Sequence, residues 1–232
     1  MALVIHRLGR ISSTQEEARR LLRSGKVKVG HVVVADVQTG GRGRFGRDWI
    51  SPSGGLYATF LVALHPQIAI LSGVGVLRAL AGFGIDAGLK WPNDLVVGEK
   101  KLGGILIEPV DEVALVGVGV NLHDAPLETA TSSRALGKVV RRGELLLAIG
   151  EELLTTSRKD LSSVYRDHVI TLGRRVRIVR ADGEAIEGTA ADIDGEGRLF
   201  VRTPSGLQLL ASGDCIHVQN GSIGADLESS VS

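Results

Sequence analysis

Three arginines, Arg42, Arg44 and Arg47, alternate with Gly40, Gly41, Gly43 and Gly46 in the stretch QTGGRGRFGRDW, directly after an apolar run. Glycines let backbone N–H groups converge on an anion, and guanidinium forks match carboxylate or phosphate oxygens two at a time. The loop therefore suits a carboxylate or a phosphate, although its composition also suits a solvated basic turn or an RG segment that binds nucleic acid. It is neither the phosphate loop that ends in Lys-Ser/Thr nor a dinucleotide fingerprint, because no helix is expected after it. A second cluster narrows the choice. KWPND (Lys90 to Asp94) and KLGGIL (Lys101 to Leu106) flank a hairpin around Gly98, so two lysines and an Asn-Asp pair project near one end of a sheet.

The elements that must hold these residues can be read from pattern. ISSTQEEARRLLRSG offers Ser13 as an N-cap with Glu16 three residues on, then Ala18, Leu21 and Leu22 on one face and Gly25 as a stop, which is a helix. HVVVADV and LYATFLVAL read as strands on either side of the basic loop. A helix is expected over Ile70 to Phe83, then a strand, a Pro-centred turn and a hairpin through EPV, with VALVGVGVNL continuing the sheet. Leucines at helical spacing from Arg142 to about Leu161 predict one covering helix. After His168 the texture changes to short strands separated by DG, DGEG and PSG turns, the pattern of a small β barrel. The expected organisation is residues 1–168, residues 169–218 and a mobile tail over 219–232.

Composition sets the bounds. With 44% hydrophobic and 23% charged residues in 232 positions, the chain reads as globular, and its net charge of +1 excludes a polycation. Up to Asp48, however, ten lysines and arginines face four acids, so an anion site is expected early in the chain. The single cysteine, Cys215, excludes an internal disulfide and reads as a buried apolar filler in a reducing compartment. The six histidines show no metal-ligand spacing. No apolar run is long enough to span a membrane and no signal peptide is visible, so a cytoplasmic protein is expected.

Taken in order, Ser13-Thr14-Gln15, Gln38 with GRGRFGR and Trp49, KWPND, KLGGIL and GVGVN ending at Asn121 resemble the biotin protein ligases. The resemblance implies a mixed α+β fold: a largely antiparallel sheet with helices on one side, like a class II synthetase, followed by an SH3-like barrel. It also implies two-step chemistry with ATP, biotin and Mg2+, in which biotinyl-AMP forms and a lysine of a biotin carboxyl carrier domain of a carboxylase then takes the biotin. By carry-over, Arg42, Arg44, Asp94 and Lys101 are catalytic. Ser13, Thr14, Gln15, Gln38, Gly41, Arg42, Arg44, Lys101 and Gly104 meet biotin. Arg42, Arg44, Arg47, Trp49, Lys90, Asn93, Lys101 and Asn121 meet ATP, and Mg2+ is held mainly by phosphates and water. A homodimer and the absence of a leading DNA-binding domain are further expectations. Gln15 stands where the family has asparagine, and Ser13 has a rival role as helix cap. A lipoate or octanoate ligase or transferase is the alternative enzyme; an RNA-binding module is the alternative of another class, disfavoured by an aromatic share of 3%.

Overall fold

The computed structural model describes residues 3–156 and 160–218; the expected mobile tail lies outside the described residues. Strands β1 (Val4–Ile11), β2 (His31–Gln38), β3 (Leu56–Ala63), β4 (Gly88–Lys90), β5 (Asp94–Val97), β6 (Lys100–Val110) and β7 (Val113–Val120) form one sheet in the order β1-β2-β3-β7-β6-β5-β4. Only β1 and β2 run parallel; the other neighbours are antiparallel. Helix α1 (Thr14–Arg23) makes the crossover that a parallel pair requires.

Alternation of side chains sorts this sheet into two faces. Val32 and Val34, Phe60 and Val62, and Val116 and Val118 enter the larger core, against α2 (Ile68–Ala81) and α3 (Arg142–Thr155). Val33, Leu61 and Leu115 face the other way, against Ala18 of α1. The helices thus cover both faces, where one side was expected, because β2, β3 and β7 are apolar at successive positions. That leaves the part of the second face beyond α1 free to form a cavity.

Two further boundaries differ from the sequence reading. Helix α2 starts two residues early and contains Gly73 and Gly75, where a Cβ would press on Tyr165 at 2.7 Å and on Glu152 at 3.3 Å; close helix packing accounts for both glycines. The single helix expected to Leu161 is replaced by α3 and a separate α4 (Leu161–His168). At the end of α3, Thr155 Oγ1 donates to the Glu151 carbonyl, a side-chain bond that competes with the helix ladder, while the Thr156 hydroxyl donates to the Glu152 carboxylate. Among the described residues no helix is long and apolar enough to cross a membrane.

The remaining strands, β8 (Arg175–Val179), β9 (Ala185–Ile193), β10 (Leu199–Thr203), β11 (Gly206–Leu210) and β12 (Asp214–His217), make a five-stranded antiparallel sheet in the order β11-β10-β9-β8-β12. Trp91, 1% exposed, ties it to the first sheet: its backbone N–H donates to Thr171 Oγ1 and its indole to the Gly197 carbonyl, each at 3.0 Å. Thr171 in turn meets His217 Nε2 at 3.1 Å.

Burial, followed by Lys90 and Arg174, pushes His217 down to about 4, with Glu99 opposing. An unfolded imidazole titrates near 6.5, so between these values the unfolded chain binds more protons; stability is intact above pH 6.5 and is lost as pH falls toward 4. The residue is partly exposed, so solvent screening leaves on the order of 1 kcal/mol of the effect. Urea denaturation should show that loss in the parent chain, and a shallower pH dependence in His217→Asn.

Candidate active site

The cavity beside α1 has a volume of about 410 Å³, and its walls come from both ends of the chain, Ser13 to Gln15 on one side and Asp214 to Ile216 on the other. Its floor is the sheet itself. Gly104 of β6 pairs with Gly119 of β7, which pairs with Tyr57 of β3; in the next row stand Leu106, Gly117 and Thr59. Glycine is needed at two of these positions because other groups lie directly on the strand. A Cβ on Gly119 would sit 2.6 Å from the Trp49 indole, and one on Gly117 would sit 2.7 Å from Gln15 Oε1.

The polar wall is built from the start of α1 and the end of β2. Ser13 Oγ accepts from the Gln15 N–H at 3.2 Å, so the helix-cap role is realised while the residue also lines the cavity. The Thr14 backbone N–H and Oγ1 both donate to Gln38 Oε1, at 2.8 and 3.1 Å, and Gln38 Nε2 donates to Ser51 Oγ at 2.8 Å. Thr59 Oγ1 lies 3.0 Å from both Thr14 Oγ1 and Gln15 Oε1, and Gln15 Nε2 reaches the Leu115 carbonyl at 3.1 Å. The longer Gln15 therefore spends its amide across the sheet, which a shorter side chain at this position would not span. Such a connected network fixes donors and acceptors in place before a ligand arrives.

The basic loop folds back on itself. Trp49 N–H donates to the Gly41 carbonyl and Gly43 N–H to the Arg47 carbonyl, with a 3₁₀ turn over Arg44–Gly46 at the tip. Phe45 and Gly46 have φ of 55° and 74°, left-handed values that glycine adopts freely and phenylalanine rarely does. Arg42 pairs with Glu16 at 3.1 Å, Arg47 pairs with Asp214, and Lys101 pairs with Asp94 at 2.6 Å. Arg44 and Lys90 have no such partner: among the described residues no carboxylate lies within 4.0 Å of either. Burial pushes the Arg44 guanidinium below its ordinary value, against the pull of Asp214 and with the push of Arg47. A half-buried cation without a counterion is a ready receptor for an anion.

Around the cavity five cations thus face three carboxylates, Asp48, Asp94 and Asp214. The Lys101 ammonium lies 5.3 Å from the centre of the Trp49 ring, whose buried Nε1 has no hydrogen-bond partner. Asn93 Nδ2 donates to the Ile105 carbonyl at 3.1 Å, which fixes the turn that carries Asp94.

Two expected contacts are not brought to the cavity. Gly41 is buried against Ser51 Oγ and Gln38 Nε2, where a Cβ would sit 2.8 and 3.0 Å away, so its size serves the base of the loop. Asn121 is also buried: its amide donates to the Thr131 carbonyl at 3.1 Å and its carbonyl accepts from the Ser133 N–H, securing the connection between β7 and α3. That connection, unpatterned in sequence, is also held by Lys101, whose backbone bonds Thr129 and Thr131. Cys215 is buried as expected but lines the cavity, with Lys90 close enough to act on it; burial dominates and pushes the thiol up to about 11. Asp214, Ile216, Gly117, Gly119 and Thr59 escaped the sequence reading. Alternation along GVGVN, which sets Gly117 and Gly119 on one face, was the available signal for the floor; nothing in sequence links Asp214 to residue 47.

The family described as Biotin/lipoate A/B protein ligase matches residues 8–123, and the Biotin protein ligase C terminal domain matches residues 171–218. This chain belongs to the biotin/lipoate protein ligase family. The biotin-[acetyl-CoA-carboxylase] ligase of Mycobacterium tuberculosis is 31% identical, over 89% of this chain and 86% of its own length. That of Paracoccus denitrificans is 32% identical, over 89% and 98%. Among solved structures, the Aquifex aeolicus biotin protein ligase in complex with biotin and ATP superposes with a TM-score of 0.77 at 31% identity, covering 92% of this chain and 97% of that one. The Leishmania major enzyme in complex with biotinyl-5-AMP gives 0.67 at 28%, covering 90% and 99%.

For this ligase the glycine floor makes a direct prediction. Gly119→Ala should lift the Trp49 indole from the sheet. Tryptophan emission should then shift to the red from Trp49 alone, with Trp91 still buried and the far-UV circular dichroism unchanged.

Proposed function

We infer that the chain attaches biotin to protein in two steps. The biotin carboxylate attacks the α-phosphorus of ATP, giving biotinyl-AMP and releasing pyrophosphate. A lysine amine of the acceptor then attacks the acyl carbon, AMP leaves, and the amine gives up its proton. The observation that carries the reading is the Arg44 guanidinium, without a carboxylate partner, held in one cavity with the Lys101–Asp94 pair.

The first step brings two anions together, so fixed cations both reduce their repulsion and stabilise charge in the transition state. We assign that work to Arg44 and Lys101, with Arg42 and Arg47 on the nucleotide side or locking the loop. Ser13, Thr14, Gln15 and Gln38 face the ureido ring of biotin, and Gly104 permits its close approach. Trp49 serves the adenine, and Lys90 and Asn93 the phosphates. Magnesium arrives with ATP and is carried by phosphates and water; among the described residues no group of three His, Cys, Asp or Glu side chains is placed to hold a metal.

Asp94 has a second role in this scheme. When Lys101 turns to the reacting oxygens it releases Asp94, which then orients the incoming amine and accepts its hydrogen bond. The acceptor is a carrier domain of a biotin-dependent carboxylase. We also propose that the reaction takes place in the cytoplasm, consistent with the single reduced Cys215, and that two copies pair along the sheet edge left open at β1. Biotin is favoured over lipoate or octanoate because residues 171–218 match the domain that ends biotin protein ligases.

Exchange of labelled pyrophosphate into ATP should depend on biotin, fail with lipoate and octanoate, and fall at least about a hundredfold in Arg44→Ala and Lys101→Ala. Exchange with lipoate alone would overturn the substrate. For Asp94→Ala, transfer from added biotinyl-AMP should fall about a hundredfold more than exchange does. Slower exchange with normal transfer would instead remove Asp94 from the second step.

A further inference from the structure

The tip of the basic loop is tethered to the rest of the molecule in an uneven way. Its backbone hydrogen bonds, Gly43 to Arg47, Arg47 to Arg44 and Trp49 to Gly41, all lie within the loop. The side-chain polar links that leave residues 42–48 are, among the described residues, two ion pairs. Arg42 reaches Glu16 on α1, in the same sheet assembly, and Arg47 reaches Asp214 on β12, 167 positions later and in the other sheet. Between these two clasps stands Arg44, half-buried, with no carboxylate partner of its own.

We propose that Asp214 is a positioning residue for adenylation: from the carboxyl-terminal sheet it holds Arg47, and through Arg47 it sets the basic loop and Arg44 over the reacting groups. The inference rests on the reading of the cavity as an adenylating site. It gives the second sheet a part in the first chemical step. Asp214 lines the cavity, and in this role it acts through Arg47, so its loss loosens the loop that carries Arg44. The two side chains are 61% and 36% exposed, so the pair is worth up to about fivefold in the population of the closed loop, and salt screens it. Backbone pairing of Asp214 with Val179 does not need the carboxylate, so Asp214→Asn keeps the strand.

The test compares the full chain with Asp214→Asn, Asp214→Glu and a control on the same sheet, Glu187→Gln, whose contact to Arg177 is long at 3.9 Å. Two readouts are taken. In the first, tryptic cleavage after Arg42, Arg44 and Arg47, followed by fragment mass with biotin and MgATP present, should run about two to five times faster in Asp214→Asn. Asp214→Glu should restore most of the protection, Glu187→Gln should match the parent, and the gap should close in about 1 M NaCl, where the Debye length is about 3 Å. In the second, biotin-dependent pyrophosphate exchange should fall by a similar factor in Asp214→Asn, chiefly through the KM for ATP, while single-turnover transfer from added biotinyl-AMP stays within about twofold. Equal cleavage rates in parent and Asp214→Asn would overturn the clasp, as would a Glu variant as impaired as the Asn variant. A parent chain silent in exchange would instead overturn the adenylation reading, and the cleavage comparison would still decide the clasp.

Discussion

Keeping a guanidinium charged and unpartnered in a half-buried loop is the constraint around which the rest of the site is arranged. Arg44 loses part of its hydration and receives no carboxylate in return, so the loop that carries it is disfavoured unless something else holds it. Pairing Arg44 directly would remove the difficulty and also the receptor. Three of the other cavity cations are paired instead, Arg42 to Glu16, Arg47 to Asp214 and Lys101 to Asp94, so that local repulsion is relieved while, among the described residues, Arg44 and Lys90 stay open to an anion. These pairs are partly exposed, so each contributes little to stability and can exchange its partner for a substrate oxygen at small cost.

The second demand is geometric. The groups that line the cavity can lie close to the sheet only where side chains do not stand up from it. Gly104, Gly117 and Gly119 meet that demand on two adjacent strands. The opposite face of β7 carries Val116, Val118 and Val120 into the main core. One strand thus combines glycines on which the Trp49 indole and the Gln15 amide rest directly with a tightly packed lower face, and the packing keeps the floor level. The polar wall follows the same logic, since Thr14, Gln15, Gln38 and Thr59 are already bonded to one another.

Local signals carried far in this chain. The cap at Ser13, the Val-rich strands, the hairpin at Gly98 and the change of texture after His168 are all short-range patterns, and the structure has an element at each place. The cavity gathers most of the residues singled out in sequence, because they sit at strand ends and turns that local chemistry determines. What was not legible depends on distance. Alternation within β2, β3 and β7 shows two buried faces only when neighbouring strands are known, so the helix on the second face was misplaced. Gly41 and Asn121 have the residue types of ligand contacts, yet Ser51 and Thr131 claim the space around them. The β1 strand, with mixed burial along VIHRLGRI, gave no clean period to read.

The cavity takes one wall from residue 13 and another from residue 216. Those segments lie far apart in the chain, so a growing polypeptide has the floor, the polar wall and the arginines long before it has β12. Until β12 emerges, the cavity above the sheet stays open to bulk water on one side. Assembly of the site is therefore coupled to formation of the carboxyl-terminal sheet: a polypeptide that stops short of β12 lacks the wall that Asp214, Cys215 and Ile216 give the cavity.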